Sequence, residues 1–345
     1  MVRNRRSFLS RRIYALSTLG LHIVAFGLGC DRYRSSATSS IQRPCIFVSV
    51  LPQAFLAQRI AGEHFSVEVM VGPGQSPHVF EPTSRQMTAL SSARLYFTTG
   101  IPFEHTLVEK ISPTFKSLRF VDTTAGLTLR PGEDCEHDHS HDTEHHDAAE
   151  HEHDHDHAHH DHDHGAPDPH VWLNPLFAEH QARIMTDALI AADGAHAADY
   201  ERNFAVLSDD LRAADTHIAD ALAPFKGRAF FVFHPAYGYF ADRYGLIQTP
   251  VEEAGKEPSA RRLVALIDRA KASGVKLIFV QPQFPSKCAE AVAEAIGGAV
   301  MPMDDLSRDY LANLNDMADK IARSMRRDLG VPLLQALDAR GDAPS

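Results

Sequence analysis

Histidine is concentrated in one stretch of this 345-residue sequence. Of its 22 histidines, 13 lie between residues 137 and 164, where most of their neighbours are aspartate or glutamate. The tract histidines are His137, His139, His141, His145, His146, His151, His153, His155, His157, His159, His160, His162 and His164. Imidazole and carboxylate groups are common ligands of divalent transition metals. The sequence therefore predicts weak capture of several metal ions by this histidine tract, residues 133–165. A solvated linker or an expression tag is the alternative interpretation.

Four residues outside the tract follow predicted strands and could form one compact metal site. His78 follows "VEVMVGPGQSP", His170 lies in "DPH", His234 follows "RAFFVF", and Asp304 follows "AVMPM". Three imidazoles and one carboxylate suit a tetrahedral, borderline-soft divalent ion. A proline next to each histidine would stiffen its loop. A single histidine after a strand is more often a solvated loop residue or a helix cap, and the spacing of the four positions has no local signature.

The elements that would position these residues alternate between strands and helices. "CIFVSVL" (45–51) is a continuous apolar run of the kind found in buried parallel strands, and similar runs and helical patterns follow it. The alternation restarts with "RAFFVFH" after a long helical stretch. We therefore predict an α/β fold with two lobes, each with a mainly parallel sheet, joined by one long rigid helix. Ligands of such sheets bind at the carboxyl ends of the strands.

The same patterns divide the chain into segments. We expect an N-terminal lobe over 44–195, with the tract inside it as a loop that is disordered without metal because it has few apolar residues. The connecting helix is predicted over 196–224 and the C-terminal lobe over 225–338. Residues 1–29 and 30–43 are predicted as an export signal and a polar tether.

The N-terminal segment indicates export. A basic stretch precedes an apolar run that ends at Cys30, which is the order of a secretory signal. "NRRSFLS" resembles a twin-arginine signal, so the Sec and twin-arginine routes both stay open. "FGLGC" resembles a bacterial lipobox, with Gly27 where leucine is usual, and predicts lipidation of Cys30. A soluble exported protein and a retained membrane anchor are the alternatives, and each places the mature protein outside the cytoplasm.

The net charge of −11 is also local. The chain has 34 Lys and Arg against 45 Asp and Glu, and 13 of these acidic residues lie between residues 133 and 164. The remainder is almost balanced in charge. A nucleic-acid partner would need a concentrated basic patch, and we expect no such partner.

Several motifs resemble a known family. "SPHVFEPTSRQMTAL", "DPHVWLNP", "FVFHPAYGYFADRYGL" and "GKEPSARRL" with "VKLIFVQPQF" are similar to motifs of the metal-binding receptors (cluster A-I solute-binding proteins) of bacterial ABC importers for zinc and manganese. The resemblance covers about Ile46 to Leu329, in family order. It implies two α/β lobes, a rigid connecting helix and one metal ion in the cleft between the lobes. The family's ligand positions fall on His78, His170, His234 and Asp304.

Within the family, the third ligand distinguishes the metals. Manganese-type members generally have a glutamate where this chain has His234, and three nitrogens with one carboxylate suit Zn²⁺ better than the harder Mn²⁺. Some zinc receptors take a further carboxylate from the residue before the first histidine, but Pro77 occupies that position. Asp304 or a water molecule is therefore expected as the fourth ligand.

The resemblance implies a receptor rather than an enzyme. We expect a monomer in the periplasm or on the outer face of the cytoplasmic membrane, anchored through Cys30, that presents Zn²⁺ to a membrane permease. A manganese or iron receptor of the same family is the alternative, as are a periplasmic zinc store and a surface adhesin. A zinc hydrolase would use the same histidines with a water molecule, but outside the histidine tract the sequence contains no HExxH-type motif.

Overall fold

The computed structural model describes residues 43–132, 166–252, 260–284 and 286–328. These residues belong to one compact unit, Arg43–Ser345. The predicted export signal, Cys30 and the histidine tract lie outside the described residues.

The first half of the unit contains a four-stranded parallel sheet with strand order β2-β1-β3-β4. Its strands are β1 (Cys45–Val48), β2 (Ser66–Val69), β3 (Leu95–Thr98) and β4 (Arg119–Asp122). The helices between them are α1 (Leu51–Ala61), α2 (Ser84–Leu90) and α3 (Pro102–Ile111). Apolar side chains cover β1 and β3 on both faces, which is why these strands appear in the sequence as continuous apolar runs.

The second half repeats this arrangement in a parallel sheet with strand order β6-β5-β7-β8. Its strands are β5 (Ala229–Val232), β6 (Ile247–Pro250), β7 (Leu277–Val280) and β8 (Ala299–Pro302). The helices associated with it are α6 (Gly238–Tyr244), α7 (Ala260–Ala272), α8 (Lys287–Ala295) and α9 (Tyr310–Asp328). In each half the first strand of the series is therefore an interior strand.

Two helices connect the halves, α4 (Pro175–Ala192) and the longer α5 (Ala197–Leu222). Helix α5 packs against α1, α4 and α9. Its buried residues recur at intervals of three, four and seven, as expected for one face of a helix. They are Tyr200, Leu207, Ser208, Leu211, Ala214, Asp215, Ile218 and Leu222. The predicted fold class, two lobes with parallel sheets and one long helix, is confirmed.

Large aromatic residues fill the core where these helices meet the sheets. Trp172, Tyr200 and Tyr310 are almost completely buried and belong to one hydrophobic cluster with residues of both sheets. This cluster joins the halves into one unit. Among the described residues, no helix has the length and apolar character needed to cross a membrane.

Candidate metal centre

Two of the three predicted histidines, His78 and His234, lie in loops that follow strands, whereas His170 follows no strand directly. His78 lies in a short 3-10 turn, Pro77–Val79, in the loop after β2, where its backbone N–H donates to Ser76 Oγ at 3.3 Å. His170 comes directly before a second 3-10 turn, Val171–Leu173, which leads into α4. His234 is the second residue after β5. The folded chain brings these three distant positions together.

The imidazole rings meet at their Nε2 atoms. Nε2 of His234 lies 2.9 Å from Nε2 of His78 and 3.4 Å from Nε2 of His170. Among the described residues, these three form the one group of three or more metal-ligating side chains whose ligand atoms all lie within 4.8 Å of one another. His170 and His234 are buried, whereas His78 is exposed at the rim. Three lone pairs can therefore converge on one ion from buried and exposed sides.

Two buried carboxylates hold the opposite ring nitrogens. Asp168 Oδ1 lies 2.7 Å from Nδ1 of His170, and Glu252 Oε1 forms a short contact with Nδ1 of His234. An ionised carboxylate can only accept a hydrogen bond, so each Nδ1 carries the proton. The Nε2 lone pairs are then free for a metal, which is the usual arrangement around metal-binding histidines.

The sheet explains why His234 is so firmly held. Val232 is in register with Pro250 on β6 and with Phe279 on β7. His234, Glu252 and Gln281 each lie two residues after these paired positions, so Glu252 and Gln281 flank His234. The Gln281 side chain accepts from the backbone N–H of His234 at 3.3 Å and donates to its carbonyl at 2.8 Å. Residues after both neighbouring strands thus contribute to fixing this candidate ligand.

The electrostatics of the site favour a cation. Although His78 is exposed as a residue, its ring packs against those of His234 and His170. The burial of the ring there and the two neighbouring imidazoles lower the pKa of His78, which favours a neutral ring that is able to bind metal. Burial opposes protonation of His170, but the charge and hydrogen bond of Asp168 together with the charges of Asp305 and Glu252 raise its pKa. A proton therefore competes with a metal ion at His170, and the carboxylates of Asp168, Asp305 and Glu252 can compensate the charge of either cation.

Asp304 is not part of the convergent group that the described residues form. Its Oδ1 accepts from the backbone N–H of Leu306 at 2.9 Å and from Gln283 Nε2 at 3.1 Å. The bond to Leu306 closes a tight turn, and both bonds occupy this oxygen. A role for Asp304 as fourth ligand stays a prediction.

The adjacent carboxylate, Asp305, is in a different environment. It is 4% exposed, burial raises its pKa, and its charge acts on His170 and His234. Its Oδ1 is buried and has no hydrogen-bond partner among the described residues. Trp172 Nε1 donates to the carbonyl of Asp305 at 2.8 Å, which ties this loop to the one that carries His170. Asp305 is likewise outside the convergent group of the described residues, but its unpaired buried oxygen makes it a second candidate for the carboxylate ligand, one that was not predicted from the sequence.

Three further residues of the site, Asp168, Glu252 and Gln281, were not predicted from the sequence. A local signal existed for Asp168 alone, because it lies two residues before His170 in the same "DPH" motif. The histidines of the tract and Cys30 lie outside the described residues, and their roles stay predictions.

Comparison with known proteins gives a family match over most of the chain. The family model described as ZnuA, zinc-uptake complex component A, periplasmic, matches residues 46–324. The zinc-binding lipoprotein AdcA of Streptococcus pneumoniae serotype 4 is 27% identical over 274 residues, which are 76% of this chain and 51% of the relative. The chain thus spans about half the length of that relative. The high-affinity zinc uptake system protein ZnuA of Bacillus subtilis is 28% identical over 286 residues, 81% of this chain and 83% of the relative.

Solved structures show the same fold. A crystal structure of ZnuA is 32% identical and has a TM-score of 0.70, over 82% of this chain and 99% of the other. A ZnuA deletion mutant with zinc bound is likewise 32% identical, with a TM-score of 0.70, over 82% of this chain and 98% of the other.

Proposed function

Because this chain belongs to the family of ZnuA, the periplasmic component A of a zinc-uptake complex, we propose that it is a high-affinity zinc receptor outside the cytoplasm. It binds one Zn²⁺ as cargo and delivers the ion to the permease of an ABC importer. Relatives that bear the names zinc-binding lipoprotein and high-affinity zinc uptake protein support this proposal. No covalent bond of a substrate is made or broken.

One observation carries the choice of zinc: three imidazole Nε2 atoms converge, and carboxylates hold the Nδ1 atoms of two of the rings. A ligand set with three nitrogens suits a borderline-soft ion such as Zn²⁺ rather than Mn²⁺. His78, His170 and His234 are the proposed protein ligands, and a carboxylate from Asp304 or Asp305, or a water molecule, completes a tetrahedron.

The chemistry of capture follows from the protonation states. The Nε2 lone pairs of His170 and His234 are oriented before the metal arrives, because Asp168 and Glu252 hold the Nδ1–H groups. His78 contributes a neutral ring from the rim of the site. Binding consists of exchange of water for imidazole on the ion, and release to the permease is the reverse exchange.

The remaining features of the proposal concern location and assembly. We place the protein in the periplasm or on the outer face of the cytoplasmic membrane, as a monomer with a lipid anchor at Cys30. The histidine tract, residues 133–165, captures zinc weakly. The two lobes are assigned to 44–195 and 225–338, with the connecting helix over 196–224. The family description as periplasmic and the lipoprotein relative support the location.

A competition titration tests the proposed function. Purified protein without residues 136–164 is titrated with Zn²⁺ against a chromophoric chelator, together with His234→Ala and the control His217→Ala. His217 is an exposed residue of α5. We expect one tight site, a loss well beyond the roughly 10–100-fold typical of outer ligand partners in His234→Ala, and no change in His217→Ala. The absence of a tight site, or equal affinities in both variants, would refute the proposal.

A further inference from the structure

The chain forms a short antiparallel pair just before His170. Gly132 N donates to the carbonyl of Ala166 at 3.1 Å, and Asp168 N donates to the carbonyl of Arg130 at 3.0 Å. Pro131 and Pro167 form an isolated antiparallel bridge between these two bonds. The backbone of Arg130 is thus fixed beside that of Asp168, the residue that holds His170.

Asp168 lies between the imidazole of His170 and the guanidinium of Arg130. Its Oδ1 accepts from the backbone N–H of His170 at 3.0 Å and from Nδ1 of the same residue at 2.7 Å. Its Oδ2 lies 3.7 Å from Nε of Arg130. The Asp168 side chain is only 7% exposed, so little solvent is available to balance its charge. The guanidinium of Arg130 balances this charge at Oδ2, the oxygen that forms no hydrogen bond with His170.

Helix α6, from the second half of the chain, holds Arg130 from the other side. The guanidinium donates to Asp242 in a short hydrogen bond. The hydroxyl of Tyr239 accepts from the backbone N–H of Arg130 at 2.9 Å and donates to the carbonyl of Asp168 at 2.8 Å. Helix α6 therefore contacts both the side chain and the backbone of the pair that carries the ligand.

Gly238 makes room for this arrangement. A Cβ at this position would lie 2.6 Å from Nε of Arg130 and 3.0 Å from Oδ2 of Asp168, both below ordinary contact distance. The guanidinium and the carboxylate therefore lie directly against the first residue of α6. Any larger residue there would force one of them to move.

We propose that Arg130 is a positioning residue of the metal centre. Held by Asp242 and Tyr239, it fixes Asp168 in the conformation that directs Nε2 of His170 toward the other two imidazoles. This inference rests on the proposed zinc-binding function. Arg130 touches no metal ligand in this role, and its effect on zinc passes through Asp168. Mutation of a residue that hydrogen-bonds a metal-binding histidine typically lowers metal affinity 10–100-fold. Arg130 acts one residue further from the metal, so its loss should lower zinc affinity by about 10-fold.

A double-mutant cycle tests the route of the effect. Zinc affinity is measured by chelator competition for the wild type, Arg130→Met, Asp168→Asn and the double variant. We expect Arg130→Met to weaken binding by about 10-fold, at the lower end for an outer partner. In the Asp168→Asn background the same substitution should change the affinity by less than about 2-fold, because residues that act through one another are not additive.

The matched control is Arg183→Met. Arg183 is an arginine of similar exposure, 33% against 27% for Arg130, and it also forms two ion pairs, with Asp187 and Glu201. Its replacement should leave zinc affinity unchanged. The absorption spectrum of Co²⁺ bound in place of zinc gives a second readout, because its visible bands depend on ligand geometry. The spectrum should change in Arg130→Met and stay as in the wild type in Arg183→Met.

The outcomes separate this inference from the proposed function. If the wild type binds no zinc tightly, both fail. If the wild type binds zinc tightly but Arg130→Met matches Arg183→Met, or the effects of Arg130→Met and Asp168→Asn add, Arg130 is not a positioning residue. Circular dichroism and thermal unfolding without metal show whether each variant folds. Should Arg130→Met not fold, Asp242→Ala removes its anchor at a position that is 59% exposed. Unchanged affinity in that variant would also overturn the inference.

Discussion

Replacing Glu252 by glutamine isolates the contribution of the carboxylate that holds His234. The Glu252 side chain is 3% exposed and its Oε1 contacts Nδ1 of His234. Glutamine has almost the same shape and can still accept this hydrogen bond through its amide oxygen, but it has no charge. Charge-assisted hydrogen bonds are roughly twice as strong as neutral ones. The substitution therefore weakens the orientation of the ring without opening a cavity.

We expect zinc affinity to fall by roughly 10–100-fold in Glu252→Gln, the usual range for an outer partner of a metal-binding histidine, or about 1.4–2.7 kcal/mol. Glu252→Leu should cost more, because it leaves Nδ1–H of His234 without its acceptor in a buried position. The assay is competition with a chromophoric chelator at fixed pH, on protein without residues 136–164.

Glu104→Gln is the matched control for this prediction. Glu104 is also almost completely buried, at 3% exposure, but it accepts from the backbone N–H groups of Thr99, Gly100 and Ile101 and contacts none of the three histidines. Its replacement should leave zinc affinity within about 2-fold of the wild type. If Glu252→Gln binds zinc as tightly as the wild type, orientation through Nδ1 does not govern the affinity of this site. A loss of equal size in both variants would point to general destabilisation.

Three further predictions concern selectivity, the tract and pH. His234→Glu should shift the ratio of zinc to manganese affinity toward manganese, since it exchanges a nitrogen for a carboxylate oxygen; an unchanged ratio in parallel titrations would mean that cleft geometry sets selectivity. Deleting residues 136–164 should leave one tight site and remove only weaker ones in calorimetric titration. Tract ligands bind more weakly because ordering them costs roughly 1–2 kcal/mol of chain entropy for each residue fixed. Loss of the tight site on deletion would mean that the tract supplies one of its ligands. Burial raises the pKa of Glu104 to about 7, so the folded state retains a proton that the unfolded state releases, and stability should fall by about 3 kcal/mol as the pH rises from 4.5 to 7. Urea unfolding should show a smaller fall in Glu104→Gln, and equal falls would refute that assignment.

The sequence predicted the fold class because its strands are buried on both faces. "CIFVSVL" and "VKLIFVQ" are continuous apolar runs, and they form the interior strands β1 and β7. The three histidines could be selected because each follows such a run or lies in a family motif. These are local signals, and a single sequence contains them.

Glu252 and Gln281 could not be predicted in the same way. They lie 18 and 47 residues from His234 and reach it only through the register of β6 and β7 against β5. The choice between Asp304 and Asp305 depends on one tight turn, in which Asp304 Oδ1 caps the backbone N–H of Leu306. Register and turn conformation are properties of the folded chain.

Strand position also explains why the three histidines are held differently. His234 follows β5, an interior strand, so residues from the strands on either side, Glu252 and Gln281, reach it. His78 follows β2, an edge strand with a neighbour on one side only, and among the described residues no hydrogen bond fixes its Nδ1. His170 follows no strand directly and depends instead on Asp168, two residues before it. The folded protein therefore sets the orientation of two of the proposed ligands, whereas His78 lacks a comparable partner among the described residues. Zinc affinity should accordingly be most sensitive to the partners of His170 and His234, which are the residues that the substitutions at Glu252, Asp168 and Arg130 address.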